Sequence, residues 1–267
     1  MSTSDDPVVV VTGSTRGIGR GLANEFAARG CRVMVSGRSA DTVDAAVAEI
    51  AESAGAENVA GQAADVTDAE SLQGLWDAAV ERWGEVDIWI NNAGVSIMRK
   101  PLWEQDPDAI AGVIDTNVTG ALLGSRVALA GMLDQGHGAV WNMEGFGSGN
   151  EAQPGMSAYG SSKRAVRYLT RALQKDIAGT GVQANSLSPG IVVTDLLVAD
   201  YDHTSEEWAR AKKIFNILGD KVETVTPWLA ERVLASDKTG QRVAWLTRRK
   251  AFARFSTAAF RKRDLFD

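Results

Sequence analysis

The sequence predicts an α/β fold, a single doubly wound parallel sheet with helices on both faces, and three observations carry that reading. Six short runs of β-branched and other apolar residues alternate with helical stretches, the runs are apolar on both faces, and no linker, repeat or low-complexity stretch divides the 267 residues. Strands that are apolar on both sides must be covered on both sides, which parallel sheets with crossover helices achieve. A chain of this length can bury one large core. Residues 1–267 are therefore expected as one domain.

The elements follow in order. Val8 to Val11 is a β-branched strand ending in Thr12-Gly13, and Ile18, Leu22 and Phe26 follow at helical spacing. Arg32 to Ser36 reads as the second strand, Asp41 to Ser53 as a helix, Val59 to Ala63 as the third strand and Ala69 to Arg82 as a helix. Val86 to Ile90 is the fourth strand, and a long helical segment covers Pro107 to Met132. Ala139 to Met143 is the fifth strand, Ser157 to Ala178 a helix and Val182 to Leu187 the sixth strand. The pattern then loosens. Residues 194–219 suit a lid over the carboxyl ends of the strands, where such sheets bind ligands, and residues 247–267 read as a basic helical C-terminal extension.

Composition excludes more than it identifies. Hydrophobic residues at 45% and charged residues at 23% fit an ordinary globular protein rather than a disordered chain. The net charge of −6 leaves only the tail as a basic patch, so no nucleic-acid partner is expected. One cysteine, Cys31, permits no intrachain disulfide and suits a reducing compartment. Met1 to Pro7 is short and acidic without an apolar stretch, which reads as neither a signal nor a transit peptide, and a cytoplasmic protein is expected. In the tail, Arg248, Arg249, Lys250, Arg254, Arg261, Lys262 and Arg263 are interleaved with Phe252, Phe255 and Phe260. A helix of this kind can lie peripherally on an anionic membrane. A helix packed on its own subunit, with its arginines solvated, is the plainer reading. No metal site is anticipated.

Gly13, Ser14, Thr15, Arg16, Gly17, Ile18 and Gly19 lie between the first strand and the first helix, where glycines admit a pyrophosphate and the helix N-terminus offers it free N–H groups. The second strand ends in Arg38 with no acidic residue to accept from a ribose 2′-hydroxyl, which favours NADPH over NADH. Asp65 and Val66 follow the third strand, at the place for an adenine. Asn92, Ala93 and Gly94 end the fourth, where small residues let a cofactor pass.

Tyr159 and Lys163 stand one helical turn apart, so the ammonium can favour ionisation of the phenol. A proton-transfer pair is the chemistry this spacing suits. Upstream, Asn142-Met143-Glu144-Gly145 ends the fifth strand.

The series TGxxxGIG, NNAG, a helical Asn117, YxxxK and SPG resembles the short-chain dehydrogenase/reductase family, whose fold is Rossmann-type. That resemblance implies Tyr159 as general acid, Lys163 as the group that lowers its pKa and binds the nicotinamide ribose, and Asn117 as the holder of a relay water. It extends the cofactor contacts to Pro189, Gly190, Val192 and Thr194, and implies a homo-oligomer associated through the two long helices. The family's catalytic serine position is occupied by Gly145. Losing one oxyanion donor can cost about 3 kcal/mol. Either another donor, Ser148 or a loop N–H, then compensates or activity is weak, and Glu144 would have to be turned away or protonated.

The segments from Asn142 to Gly149, Tyr159 to Lys163, Ser188 to Leu197 and Lys213 to Leu218 resemble a narrower group, the chlorophyll(ide) b reductases. Membership would imply NADPH-dependent reduction of the C7 formyl group of chlorophyll(ide) b to hydroxymethyl, in a cleft for a large flat tetrapyrrole. Trp103, Trp208 and Phe215 are candidates for its lining. Reduction of another bulky hydrophobic carbonyl, and a nucleotide-sensing protein of weak activity, remain alternatives.

Overall fold

The computed structural model describes residues 6–199, 201–258, 260 and 263–266. It opens with β1 (Val8–Val11), α1 (Gly17–Ala27), β2 (Arg32–Gly37), α2 (Ala40–Ala54), β3 (Val59–Ala63), α3 (Ala69–Trp83) and β4 (Ile88–Asn91). Next come α4 (Pro107–Ile114), a π-helical turn (Asp115–Thr119), α5 (Gly120–Gln135), β5 (Gly138–Met143), α6 (Ser157–Asp176) and β6 (Val182–Ser188). The last elements are β7 (Val192–Val193), α7 (Asp195–Val198), α8 (Glu206–Leu218), β8 (Asp220–Lys221), α9 (Val222–Leu234), β9 (Arg242–Ala244) and α10 (Arg248–Thr257).

Seven parallel strands form the main sheet in the order β3-β2-β1-β4-β5-β6-β9. The order reverses at β1, so a crevice opens between the carboxyl ends of β1 and β4. Strand periodicity divides the core. Val9 and Val11 pack with Leu22, Phe26, Ile50 and Leu229 on one face, while Val8 and Val10 pack with Leu75, Trp89 and Met132 on the other. Each fully buried side chain of this size contributes roughly 1.5–3 kcal/mol. This is why the continuous apolar runs identify the strands so well.

Two differences from the sequence reading have clear causes. The long helix between β4 and β5 is broken by the π turn at Asp115–Thr119, a distortion with no compositional signal and a frequent companion of functional sites. A seventh strand, β9, and the helix before it were not anticipated. β9 has three residues with Arg242 exposed, and α9 carries an internal Pro227 that reads as a helix breaker.

The segment expected as a lid folds as α7 and α8. Tyr201, Trp208 and Phe215 form a ring cluster with Phe266, whose centroids lie 5.3 Å from Trp208 and 6.3 Å from Phe215. Besides the contacts of Asp264 and Leu265 with α8, one buried acid, Asp220, anchors the tail. That carboxylate accepts from Arg254 (3.0 Å), Arg263 (2.8 Å) and the Trp245 indole (2.6 Å). Burial alone would raise its pKa, but these donors outweigh burial and hold it below the usual carboxylate range. Two of the tail's arginines are therefore committed to this chain: the tail packs on its own subunit, but Arg254 and Arg263 are paired rather than solvated as expected. Arg261 and Lys262 lie outside the described residues. Phe252, Phe255 and Phe260 are exposed.

Asp220→Ala should cost roughly 2–4 kcal/mol, because it strands two partly buried arginines. Limited proteolysis should then cut within residues 248–266 well before the sheet; an unchanged cleavage pattern would contradict the anchoring role.

Candidate active site

The glycine turn is held from two sides. The Asn92 amide donates to the carbonyls of Thr12 (2.9 Å) and Gly13 (3.1 Å), and the Thr12 hydroxyl accepts from the N–H groups of Asn92 (3.0 Å) and Ala93 (3.1 Å). Gly13 has φ +63° and lies so close to Ala93 that a Cβ would stand 2.8 Å from its Cα. The Ser14 hydroxyl points inward, donating to Val11 O (2.7 Å) and accepting from Ser36 N (2.9 Å). Of this turn, the backbone rather than that hydroxyl faces the crevice. At the start of α1, Arg16 makes no side-chain cap, so the first N–H groups have no capping acceptor from it.

The expected cofactor residues surround this turn. Arg38 is exposed at the end of β2. The Asp65 carboxylate accepts from Thr67 N (2.9 Å) and Oγ1 (2.8 Å), bonds that with the nearby Arg38 hold it below its ordinary range. Val66 packs on Gly120 at the start of α5. From the opposite side the Thr194 methyl reaches to within 3.5 Å of where a Cβ on Gly17 would stand. The Pro189–Thr194 segment thus roofs the N-terminus of α1.

Tyr159 and Lys163 lie on one face of α6, with Nζ 5.8 Å from the phenol ring centroid. Lys163 is 5% exposed and its Nζ donates to Met143 O (3.3 Å). Burial pulls its pKa from 10.5 down to about 8. A Cβ on Gly94 would stand 3.5 Å from this nitrogen and 3.2 Å from Asn117 Oδ1, so the three groups meet at one point of the crevice. Asn117 sits in the π turn. Its amide nitrogen donates to Val95 O (2.9 Å) and Ser162 Oγ (3.0 Å), and its oxygen accepts from Val95 N (2.8 Å). Its side chain braces the loop after β4.

The Glu144-Gly145 pair has a structural explanation. Glu144 is 3% exposed and points away from the phenol, paired with Arg242 of β9 (2.7 Å) and lying 4.0 Å from Arg167 of α6. Gly145 lies directly under Tyr159, and a Cβ there would stand 2.6 Å from the phenol oxygen. The space of the missing side chain is taken by the tyrosine. Ser148 does not replace it, because its hydroxyl is buried, donating to Lys163 O (3.3 Å) and accepting from Gly145 N (3.0 Å). Gly147, at φ +92°, brings the loop onto Gly160 so closely that a Cβ would meet its Cα at 2.5 Å. Only glycine fits there.

In the segment after β4, Ser96, Met98, Lys100, Trp103 and Gln105 line an open cavity of about 500 Å³. Trp103 is 84% exposed, whereas Trp208 and Phe215 are turned into their own cluster. Arg99, which the sequence reading overlooked, lies over the Tyr201 ring at 4.4 Å and ties the cavity wall to the α8 region.

A parallel sheet that reverses at β1, an uncapped helix behind a glycine turn and a half-buried tyrosine beside a buried lysine define a dinucleotide-dependent oxidoreductase. The short chain dehydrogenase family profile matches residues 7–205, and the chain belongs to that family. It is 36% identical to the chlorophyll(ide) b reductase NOL of Oryza sativa subsp. japonica, over 94% of this chain and 75% of that protein. To the probable chlorophyll(ide) b reductase NYC1 of Arabidopsis thaliana it is 35% identical, over 97% of this chain but only 54% of that one. Among solved structures, an actinorhodin polyketide ketoreductase with NADPH superposes with a TM-score of 0.79 at 28% identity, covering 92% of this chain and 97% of that one. The chain is thus an NAD(P)-dependent oxidoreductase with chlorophyll(ide) b reductases among its relatives.

Two outcomes test this geometry. Gly145→Ser should lower turnover at least roughly tenfold by displacing the Tyr159 hydroxyl, since small misplacements of reacting groups are costly; increased turnover would show that the glycine is a defect. A drop in the Lys163 pKa from 10.5 to about 8 corresponds to roughly 3 kcal/mol of buried-charge cost. Between these values the unfolded chain binds the extra proton, so the group's contribution to stability rises with pH. Lys163→Met should therefore gain most over the wild type below pH about 8 and lose that advantage towards 10.5, as read by urea unfolding; a pH-independent difference would refute the buried charge.

Proposed function

We propose that this protein reduces the C7 formyl group of chlorophyll(ide) b to hydroxymethyl with NADPH. The observation that carries the reading is the Glu144-Gly145 arrangement, in which two arginines hold the acid away from the reacting centre and the glycine admits the tyrosine. The resemblance to chlorophyll(ide) b reductases extends to this stretch and to the lid, which a general carbonyl reductase of the family would not require.

The site fits the cofactor. Gly13, Thr15, Arg16, Gly17, Ile18 and Gly19 form a turn that leaves no room for a side chain at Gly13 or Gly19 and turns left-handed at Gly17 (φ +58°), with the open N-terminus of α1 behind it. Arg38 offers a guanidinium to a 2′-phosphate, with no competing acid at the end of β2. NADPH supplies the hydride. The chain's own part is protonation, in which Tyr159 gives its phenolic proton to the oxygen of the former carbonyl. The Lys163 ammonium stabilises the phenolate that results. Glu144 does not oppose the developing charge, because its own is neutralised by Arg242.

A flat macrocycle needs an open entrance, and the open cavity lined by Ser96 and Trp103, just past the Val95 that Asn117 holds, offers one with an aromatic side chain at its wall. Residues 194–219 act as the lid over it. Reduction of a different bulky carbonyl is the competing reading.

With NADPH and chlorophyllide b, a shift of the pigment's absorption bands should accompany loss of NADPH. A bulky-ketone panel turned over in the absence of any pigment reaction would favour the competitor. Tyr159→Phe should abolish turnover and leave NADPH affinity within a factor of roughly two, since the role is proton transfer. Arg38→Ala should weaken NADPH and not NADH, by at least roughly tenfold if the guanidinium holds the 2′-phosphate.

A further inference from the structure

A cluster outside the crevice is unexplained by this chemistry. Glu85 and Asp87 lie two residues apart in the segment that leads into β4, and their carboxylates come together on one side. His137 enters from the turn between α5 and β5. One ligand atom from each lies within 4.8 Å of the other two, at the amino ends of the strands and so at the opposite end of the sheet from the crevice.

The site is built rather than incidental. Gln135 receives Val86 N (3.1 Å) on its amide oxygen and donates to the carbonyls of Val86 (3.1 Å) and His137 (3.4 Å), which stitches the two segments together. Asp87 is 7% exposed; its Oδ2 accepts from Val8 N (2.8 Å), while its Oδ1 is buried without a hydrogen bond and faces the cluster. With the proton on Nδ1, near Gln135 O (3.4 Å), His137 turns the lone pair of Nε2 towards Glu85 (3.2 Å) and Asp87 (3.4 Å). In that tautomer three electron-rich atoms converge, an arrangement that suits a positive centre. Ligands at 2.0–2.2 Å in a tetrahedron stand roughly 3.3–3.5 Å apart, close to these separations. The Nδ1 contact to a backbone carbonyl is the outer support that metal-bound histidines commonly have.

We propose that Glu85, Asp87 and His137 bind a divalent cation of the zinc class, with water in the fourth position, as a staple between β4 and β5. The protein's other histidine, His203, stacks on Trp208 at 4.5 Å and serves as a control.

The test uses untagged, chelator-treated full-length protein titrated with Zn²⁺, and with Co²⁺ as a visible-absorption probe. Zn²⁺ should raise the Tm and Co²⁺ should give the intense bands of tetrahedral coordination. His137→Gln and Glu85→Gln should each weaken Zn²⁺ binding roughly tenfold or more, and His203→Gln should not. Glu85 is partly exposed, so its variant tests the site even if the His137 change disturbs folding. No Tm shift and no Co²⁺ band in the wild type would overturn the proposal in favour of a protonated His137 paired with two carboxylates. A response that survives both substitutions would equally overturn it.

Discussion

Two neighbouring asparagines at the end of β4 hold the molecule's halves together. Successive strand residues face opposite ways, and here one points into the layer beneath the sheet while the next turns to the nucleotide end. Asn91 donates to Asn142 Oδ1 (2.8 Å) and Ser125 Oγ (3.0 Å) and accepts from the Trp89 indole (2.8 Å); Asn142 in turn donates to Thr170 of α6 (3.1 Å). Asn92 grips the glycine turn. A continuous polar seam therefore fixes the cofactor end relative to the helix that bears Tyr159 and Lys163. Such buried networks specify one arrangement when every member is satisfied, and the distance between crevice and phenol depends on this one.

The same economy explains the acid at the end of β5. A buried carboxylate beside an oxyanion site would be untenable alone, but Glu144 is a bridge from β5 to β9 and α6. Arg242, its partner, also donates to Ser188 Oγ (3.1 Å) at the end of β6. What looks from the sequence like a damaged active site is an edge-strand anchor next to a glycine that makes room for the phenol.

Much of this was legible beforehand. Doubly buried strands announce themselves through Val8 to Val11 and their successors, and the glycine turn and the YxxxK spacing are local features. Less was legible wherever the determining contact joins distant residues. The orientation of Glu144 depends on Arg242, 98 positions away. Ser148 looked available because a one-dimensional reading cannot show its hydroxyl held by Lys163 O. The roles of Trp208 and Phe215 turned on Phe266, and the carboxylates of Glu85 and Asp87 meet a histidine some fifty residues later. The π turn at Asn117 is written in backbone geometry, for which no residue type is diagnostic.

The tail's attachment to Asp220 sets a thermodynamic condition on anything that would recruit it. Arg254 and Arg263 can turn to an outside anion only by leaving that carboxylate, and Phe266 sits in the rings that seat α8. An external ligand for these arginines would thus compete with the fold, and its binding energy would be diminished by the energy of undocking. By the same linkage, whatever tightens the roof of the crevice would make the C-terminus harder to capture.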